Sequence, residues 1–214
     1  MKHTPDRRAS TRPAARARVL RIIAGRWRGR RLRFPAAGAI RPTPDRVRET
    51  LFNWLRDRVA GARCLDLYAG SGALGLEALS RGAASVAFVD ADAAAVGALR
   101  ALLAEWGAAG ATVERVDALR FLAGVARPFD IVFLDPPFAA GLLGPSCERL
   151  QAGGWLAPGA RVYIEHTRRE PLPVLPAGWR ELRSGTAGEV GYHLYECGPT
   201  PDPSGAEAAS TGVE

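Results

Sequence analysis

The most explicit chemistry in the chain lies in Ile131-Val132-Phe133-Leu134-Asp135-Pro136-Pro137-Phe138. Four apolar residues rich in β-branching, followed by two prolines that forbid ladder bonding, read as a buried strand that stops at Asp135. That places a carboxylate at a strand's carboxyl end, where open parallel sheets bind ligands. Pro136 and Pro137 fix φ, and Pro136 also restricts Asp135, so the Asp135 carboxylate, the Pro136 carbonyl and the Phe138 ring share a stiff platform. Acceptors beside an aromatic plate suit an aromatic amine: they can hold both N–H bonds of an exocyclic NH2 while the ring stacks on a base flipped from its helix. The same residues also read simply as a strand followed by a proline-rich loop.

A second constellation lies upstream. Asp66-Leu67-Tyr68-Ala69-Gly70-Ser71-Gly72-Ala73-Leu74-Gly75 closes one apolar run and opens a helical one. Glycines at 70, 72 and 75 permit positive φ, close approach of a ligand and tight helix packing. Alone, this loop fits a dinucleotide, with Asp90 on a ribose hydroxyl, as readily as S-adenosylmethionine. The acids favour the sulfonium compound. Asp66 would sit badly near a pyrophosphate and well near a cationic amino-acid end. Asp117, followed by the small Ala118, can take an adenine amine while leaving room for the ring. Asp66 and Asp117 could each instead cap nearby backbone. The ribose role goes to Asp90 over Asp92 because Asp90 stands directly at the strand end.

Charge is unevenly distributed. Residues 1–60 hold 17 Lys and Arg against 4 Asp and Glu, and the remainder holds 12 against 18, within a net charge of +7. The separation suggests a polyanion-binding front end on an enzyme-like body. Gly25-Arg26-Trp27-Arg28-Gly29-Arg30-Arg31 is an arginine cluster with one indole, and Arg41 follows. Guanidinium groups pair with phosphates and an indole stacks on bases, which makes Arg26, Trp27, Arg28, Arg30, Arg31 and Arg41 candidates for nucleic-acid contact. The competing reading is a small basic hairpin with Trp27 packed inward.

The elements that must position these groups follow from periodicity. Residues 1–18 are too poor in apolar side chains to fold alone. Val19 to Ile23 and Leu32 to Phe34 read as short strands. Thr43 can cap a helix with Pro44 at its first position, and Val47, Leu51, Trp54, Leu55 and Val59 form its apolar stripe, with Arg46, Arg48 and Glu49 off it. From Arg63 strand and helix alternate: strands at 64–68, 86–90, 112–116, a run ending at Asp135, and 161–165, with helices at 73–81, 93–106, 118–123 and 142–150. Two strands at 179–183 and 192–196 lack a helix between them and imply a terminal hairpin. The fold class is α/β: a Rossmann-like, doubly wound, mostly parallel sheet with a basic N-terminal hairpin and helix added. The 214 residues, 47% hydrophobic and 24% charged, suit one globular domain. Cys64, Cys147 and Cys197 and the scattered histidines form no metal or disulfide pattern. No signal peptide or membrane span is evident, so a cytoplasmic protein is expected. From Gly198 the composition assigns no structure.

The order of Asp66 with its glycine loop, Asp90, Asp117 and Asp135-Pro136-Pro137-Phe138 resembles the class I amino-methyltransferases. More narrowly, Arg21-Ile22-Ile23-Ala24-Gly25, Arg28-Gly29-Arg30, Arg41-Pro42-Thr43, the run from Asp45 to Asn53, Ala69 to Arg81 and Asp135 to Phe138 are similar to the RsmD-type enzymes, which methylate the N2 amine of one guanine in bacterial 16S ribosomal RNA. The likeness runs from about Arg21 to Glu196. It implies a seven-stranded sheet with a reversed last hairpin, S-adenosylmethionine as donor, and 16S rRNA within a 30S subunit or assembly intermediate as substrate; a monomer is expected. It divides the chain into a tail at 1–18, an RNA-binding extension at 19–60, a methyltransferase domain at 61–197 and a tail at 198–214. Rivals are an adenine-N6 DNA or RNA methyltransferase, a protein-glutamine methyltransferase, a nicotinamide oxidoreductase and a non-enzymatic RNA-binding protein. On this reading, deleting residues 1–33 removes RNA affinity and spares cofactor binding.

Overall fold

The computed structural model of the protein describes residues 18–34, 44–137 and 140–198. The expectations for both chain ends, and for Arg41, Thr43 and Phe138, fall outside those residues.

Strands β1 (Arg18–Arg21) and β2 (Arg31–Phe34) pair antiparallel, with Leu20 opposite Leu32. Helix α1 (Asp45–Trp54) follows, and Pro44 stands at its N-cap rather than inside its first turn. Then come β3 (Arg63–Asp66), α2 (Ala73–Ser80), β4 (Ser85–Asp90), α3 (Ala93–Glu105), β5 (Ala111–Arg115), the single turn α4 (Ala118–Phe121) and β6 (Phe129–Leu134). Helix α5 (Leu143–Ala152), β7 (Leu156–Thr167), β8 (Trp179–Ala187) and β9 (Val190–Cys197) complete the order.

The large sheet runs β5-β4-β3-β6-β7-β9-β8, parallel from β5 to β7 and antiparallel through β9 and β8. Chain progression reverses between β3 and β6, so a crevice opens there at the carboxyl ends. The inner strands read as continuous apolar runs because both faces are covered. Cys64, Phe88, Ile131, Phe133 and Tyr163 face one core cluster with α1, α2 and α3, while Leu65, Val89, Val132, Leu134 and Ile164 face the other with α4 and α5. Strand β7 is longer than its five-residue apolar run because β9 pairs along it from Ala160 to Thr167. Among the described residues, no helix is long and apolar enough to cross a membrane.

The N-terminal hairpin shares the first of these clusters. Leu20, Ile22, Trp27 and Leu32 are buried beside Leu51, Phe52 and Leu76. Its loop is fixed to α2: Ile23 and Ala24 donate backbone N–H bonds to the Glu77 carboxylate at 2.8 and 3.0 Å, and Arg26 and Trp27 donate to the carbonyl and hydroxyl of Ser80. Gly25, at φ +81°, lies so close that a Cβ there would stand 1.8 Å from the Ser80 carbonyl oxygen, so this position requires glycine.

Arg48 corrects the helix reading. It is fully buried, because with Leu51, Phe52 and Leu55 it completes the 0, +3, +4, +7 spacing of the inward face. Its guanidinium donates to the Arg21 carbonyl at 2.8 Å, pairs with Asp45 at 2.6 Å and lies 3.8 Å from the buried Glu77. The deletion of residues 1–33 therefore cannot be a clean removal of RNA affinity. It would strip four core side chains and take from the buried Glu77 the N–H donors of Ile23 and Ala24, and from the buried Arg48 the carbonyl of Arg21.

Candidate active site

Five acids stand along the carboxyl edge of the sheet, and their spatial order is that of the strands: Asp117 after β5, Asp90 ending β4, Asp66 ending β3, Asp135 after β6 and Glu165 within β7. Asp66, Asp90, Asp117 and Asp135, the four acids singled out from the sequence, are thereby brought to one edge. The fifth, Glu165, escaped that reading, although Tyr163-Ile164-Glu165 repeats the pattern of an apolar run ending in an acid.

Each acid is tied to the backbone around it. Asp66 is only 4% exposed, and its Oδ2 accepts the Gly75 N–H at 2.9 Å, so it caps α2 from beneath. A negative charge at the positive end of a helix is favourable. Burial nevertheless pushes the Asp66 carboxyl up to about 7, with Asp90 adding repulsion and the Gly75 bond opposing both. Asp90 is half-buried and accepts the N–H groups of Gly70 at 2.7 Å and Asp92 at 2.8 Å. It thus shapes the glycine loop and keeps lone pairs at its mouth. Asp92 caps α3 by accepting the Ala95 N–H at 2.8 Å, which leaves Asp90 the acid nearer the loop. Asp117 caps α4 through Oδ1, accepting the Arg120 N–H at 3.0 Å, and the adjoining Ala118 is buried.

The glycines act in the way their spacing requires. Gly70 and Gly72 take φ of +51° and +74°, and a Cβ on Gly75 would meet the Phe88 ring at 2.2 Å, so α2 can press onto β4 only with glycine there. Ser71 stays half-exposed between Gly70 and Gly72.

Asp135 follows β6 and is half-buried, with Pro136 buried and Pro137 exposed. Its carboxyl lies well above the usual carboxylate range because it is desolvated and because Glu165 and Asp66 repel its ionised form.

The basic cluster is elsewhere. Arg26, Arg28 and Arg30 on the hairpin loop and Arg31 at the start of β2 are exposed, but that loop bonds Ser80, the last residue of α2, whereas the glycine loop precedes the first. Eight residues of helix separate the two, about 12 Å. Trp27 does not face a ligand. It is 5% exposed, with its ring 5.2 Å from that of Trp106, so the inward reading holds and base stacking by Trp27 does not. Arg30 lies 5.3 Å over the same Trp106 ring.

Comparison with known proteins finds relatives across most of the chain. The family profile described as conserved hypothetical protein 95 matches residues 20–196. The Escherichia coli (strain K12) enzyme named ribosomal RNA small subunit methyltransferase D is 49% identical over 83% of this chain and 89% of its own length. The solved structure of the Escherichia coli protein yhhF superposes with a TM-score of 0.78 at 46% identity, covering 84% of this chain and 98% of that one. A more distant structure, the Thermus thermophilus 16S rRNA N2 G1207 methyltransferase in complex with AdoMet and guanosine, has a TM-score of 0.57 at 25% identity, covering 85% of this chain and 50% of that one.

Proposed function

The chain belongs to the family described as conserved hypothetical protein 95, that of the RsmD-type methyltransferases, and from that premise we propose that it transfers a methyl group from S-adenosylmethionine to the N2 amine of a guanine in 16S rRNA. The observation that carries the reading is Asp135, followed by two prolines, at the switch point of the sheet and next to the strand that leads into the glycine loop.

The acid row fits the donor. The Asp66 carboxylate suits the cationic amino-acid end, Asp90 the ribose hydroxyls, and the free oxygen of Asp117 with Ala118 the adenine, while Gly70, Ser71 and Gly72 let the backbone approach. When bound, the sulfonium supplies a methyl carbon with a good leaving group. The protein's task is then orientation. Guanine N2 is a poor nucleophile because its lone pair is conjugated with the ring. The Asp135 carboxylate and the Pro136 carbonyl accept its two N–H bonds and favour a tetrahedral nitrogen, and Phe138 supports the base. Holding a near-attack geometry can contribute much of the roughly 7 to 11 kcal/mol available from proximity. The enzyme acts as a monomer in the cytoplasm on a 30S subunit or assembly intermediate.

Asp66 makes cofactor binding pH-dependent. Its carboxyl titrates near pH 7 in the free protein, and a cationic ligand favours the ionised form, so binding below that pH must expel a proton. Affinity for S-adenosylmethionine should rise with pH, by about tenfold per unit at most, and flatten above about 7. Calorimetry in two buffers of different ionisation heat reads the released proton directly, and Asp66→Asn should abolish the release.

The substrate is tested with tritiated methyl transfer to 30S particles, naked 16S RNA and duplex DNA, followed by nucleoside digestion. N2-methylguanosine from the ribosomal substrate is the expected product, and N6-methyladenosine would instead install the adenine reading. Since deletion of the hairpin would unfold the core, its role is probed by charge alone. Replacing Arg26, Arg28 and Arg31 with Gln should lower the slope of log affinity against log salt by roughly 2, at about 0.7 per phosphate contact on single strands. An unchanged slope would remove the loop from the RNA footprint.

A further inference from the structure

Glu165 has no place in the reaction as described, yet it is 3% exposed at the same edge of the sheet as Asp135. Strands β6 and β7 are parallel with Phe133 opposite Tyr163 and Leu134 opposite Ile164. One residue further on in that register, Asp135 and Glu165 are neighbours. Side chains alternate between faces, so both carboxyl groups project to the side on which Phe133 and Tyr163 lie. Glu165 does not swing freely, because the fully buried Tyr163 donates its hydroxyl to Oε1 at 2.9 Å. Ionisable groups near this pair include Asp66 from β3 and Tyr192, which stands opposite Glu165 on β9.

We propose that Glu165, held by Tyr163, is a positioning residue for Asp135: the two carboxyl groups hold one proton between them, which locks the Asp135 carboxyl plane and turns one oxygen outward as the acceptor for the substrate amine. The proposal rests on the reading of Asp135 as the amine-holding group. Two carboxylates in one poorly hydrated site cannot both ionise, and a single shared proton converts repulsion into a hydrogen bond. The pair also has a use after transfer. The nitrogen gives its lone pair to the new N–C bond while the C–S pair leaves with sulfur, and the cationic nitrogen then loses one proton. That proton passes to the singly protonated pair, and from it to water.

Such a pair is visible in the pH dependence of single-turnover transfer. In the wild type the rate should fall on the acid side as the pair takes its second proton and the outward oxygen ceases to be a pure acceptor. Glu165→Gln removes the carboxyl that shares its proton with the Asp135 anion, so the singly charged state loses that bond and the acid limb should move up by about one unit or more, with calorimetric affinity for S-adenosylmethionine unchanged. Glu165→Asp should return the limb towards the wild-type position. An acid limb that stays in place in a Glu165→Gln protein that binds cofactor normally overturns the proposal. Should that variant fail to fold, carbon-13 NMR of aspartate-labelled wild-type protein decides: a carboxyl resonance titrating above the ordinary range and lost in Asp135→Asn supports the pair, and an ordinary titration for Asp135 overturns it. Asp135→Ala in the same assay separates the two levels. Full activity there sinks the amine-holding reading itself, whereas a slow Asp135→Ala with an unmoved Glu165→Gln limb sinks only the proton sharing.

Discussion

Asp135→Ala is expected to slow single-turnover methyl transfer by a hundred to a thousand fold while cofactor affinity barely moves. The substitution deletes a preorganised acceptor needed as the amine nitrogen changes geometry, a loss comparable to removing one partner from a charge-stabilising site, roughly 2.7 to 4 kcal/mol. The side chain follows β6 between two buried residues, Leu134 and Pro136. Its backbone position is set by the strand and the prolines, and that is why the chemistry can be lost without the fold. Asp135→Asn should keep more activity than Ala, because an amide oxygen still accepts one N–H bond. A wild-type rate for Asp135→Ala, on a substrate shown to be methylated at N2, would make the carboxylate a structural group.

Glu77→Ala should produce the largest loss of stability, roughly 3 to 5 kcal/mol by urea unfolding, against a total of about 5 to 15 for a domain of ordinary stability. The Glu77 carboxylate is fully buried and serves four groups at once: the backbone N–H of Ile23, that of Ala24, the Arg81 side chain at 2.7 Å and the Arg48 guanidinium. Removing it leaves the Arg48 charge buried with Asp45 as its remaining acid and frees the hairpin loop from α2. Arg81→Ala, at the half-buried end of the same network, should lose less, since Glu77 keeps both backbone N–H donors and Arg48. A midpoint shift for Glu77→Ala no larger than that of Arg81→Ala would show that hydrophobic burial of Leu20, Ile22, Trp27 and Leu32 alone holds the hairpin.

Much of this molecule is legible in one dimension because it follows from local rules. Proline after Asp135 must end a strand, glycines at 70, 72 and 75 must mark a turn with close approaches, and the alternation of period-2 and period-3.6 runs must build a parallel sheet with its functional groups at the carboxyl edge. Those rules act over a few residues, so a single sequence expresses them. The tertiary structure alone decided which polar groups lie inside. In one dimension Arg48 falls off the apolar stripe because a charge is normally kept out of a core, and its burial is made possible by Glu77, which is 29 positions away. The sequence favours Trp27 as a stacking partner for a base, and packing against Trp106 turns it inward. Asp66 and Asp117 each spend one carboxylate oxygen on a helix cap, a use that shows only in three dimensions. Glu165 became a candidate only when β7 was set beside β6, and the arginine loop was separated from the reactive edge only when it bonded the far end of α2. In each case the deciding term is the desolvation of a polar group, whose sign depends on partners distant in sequence and near in space.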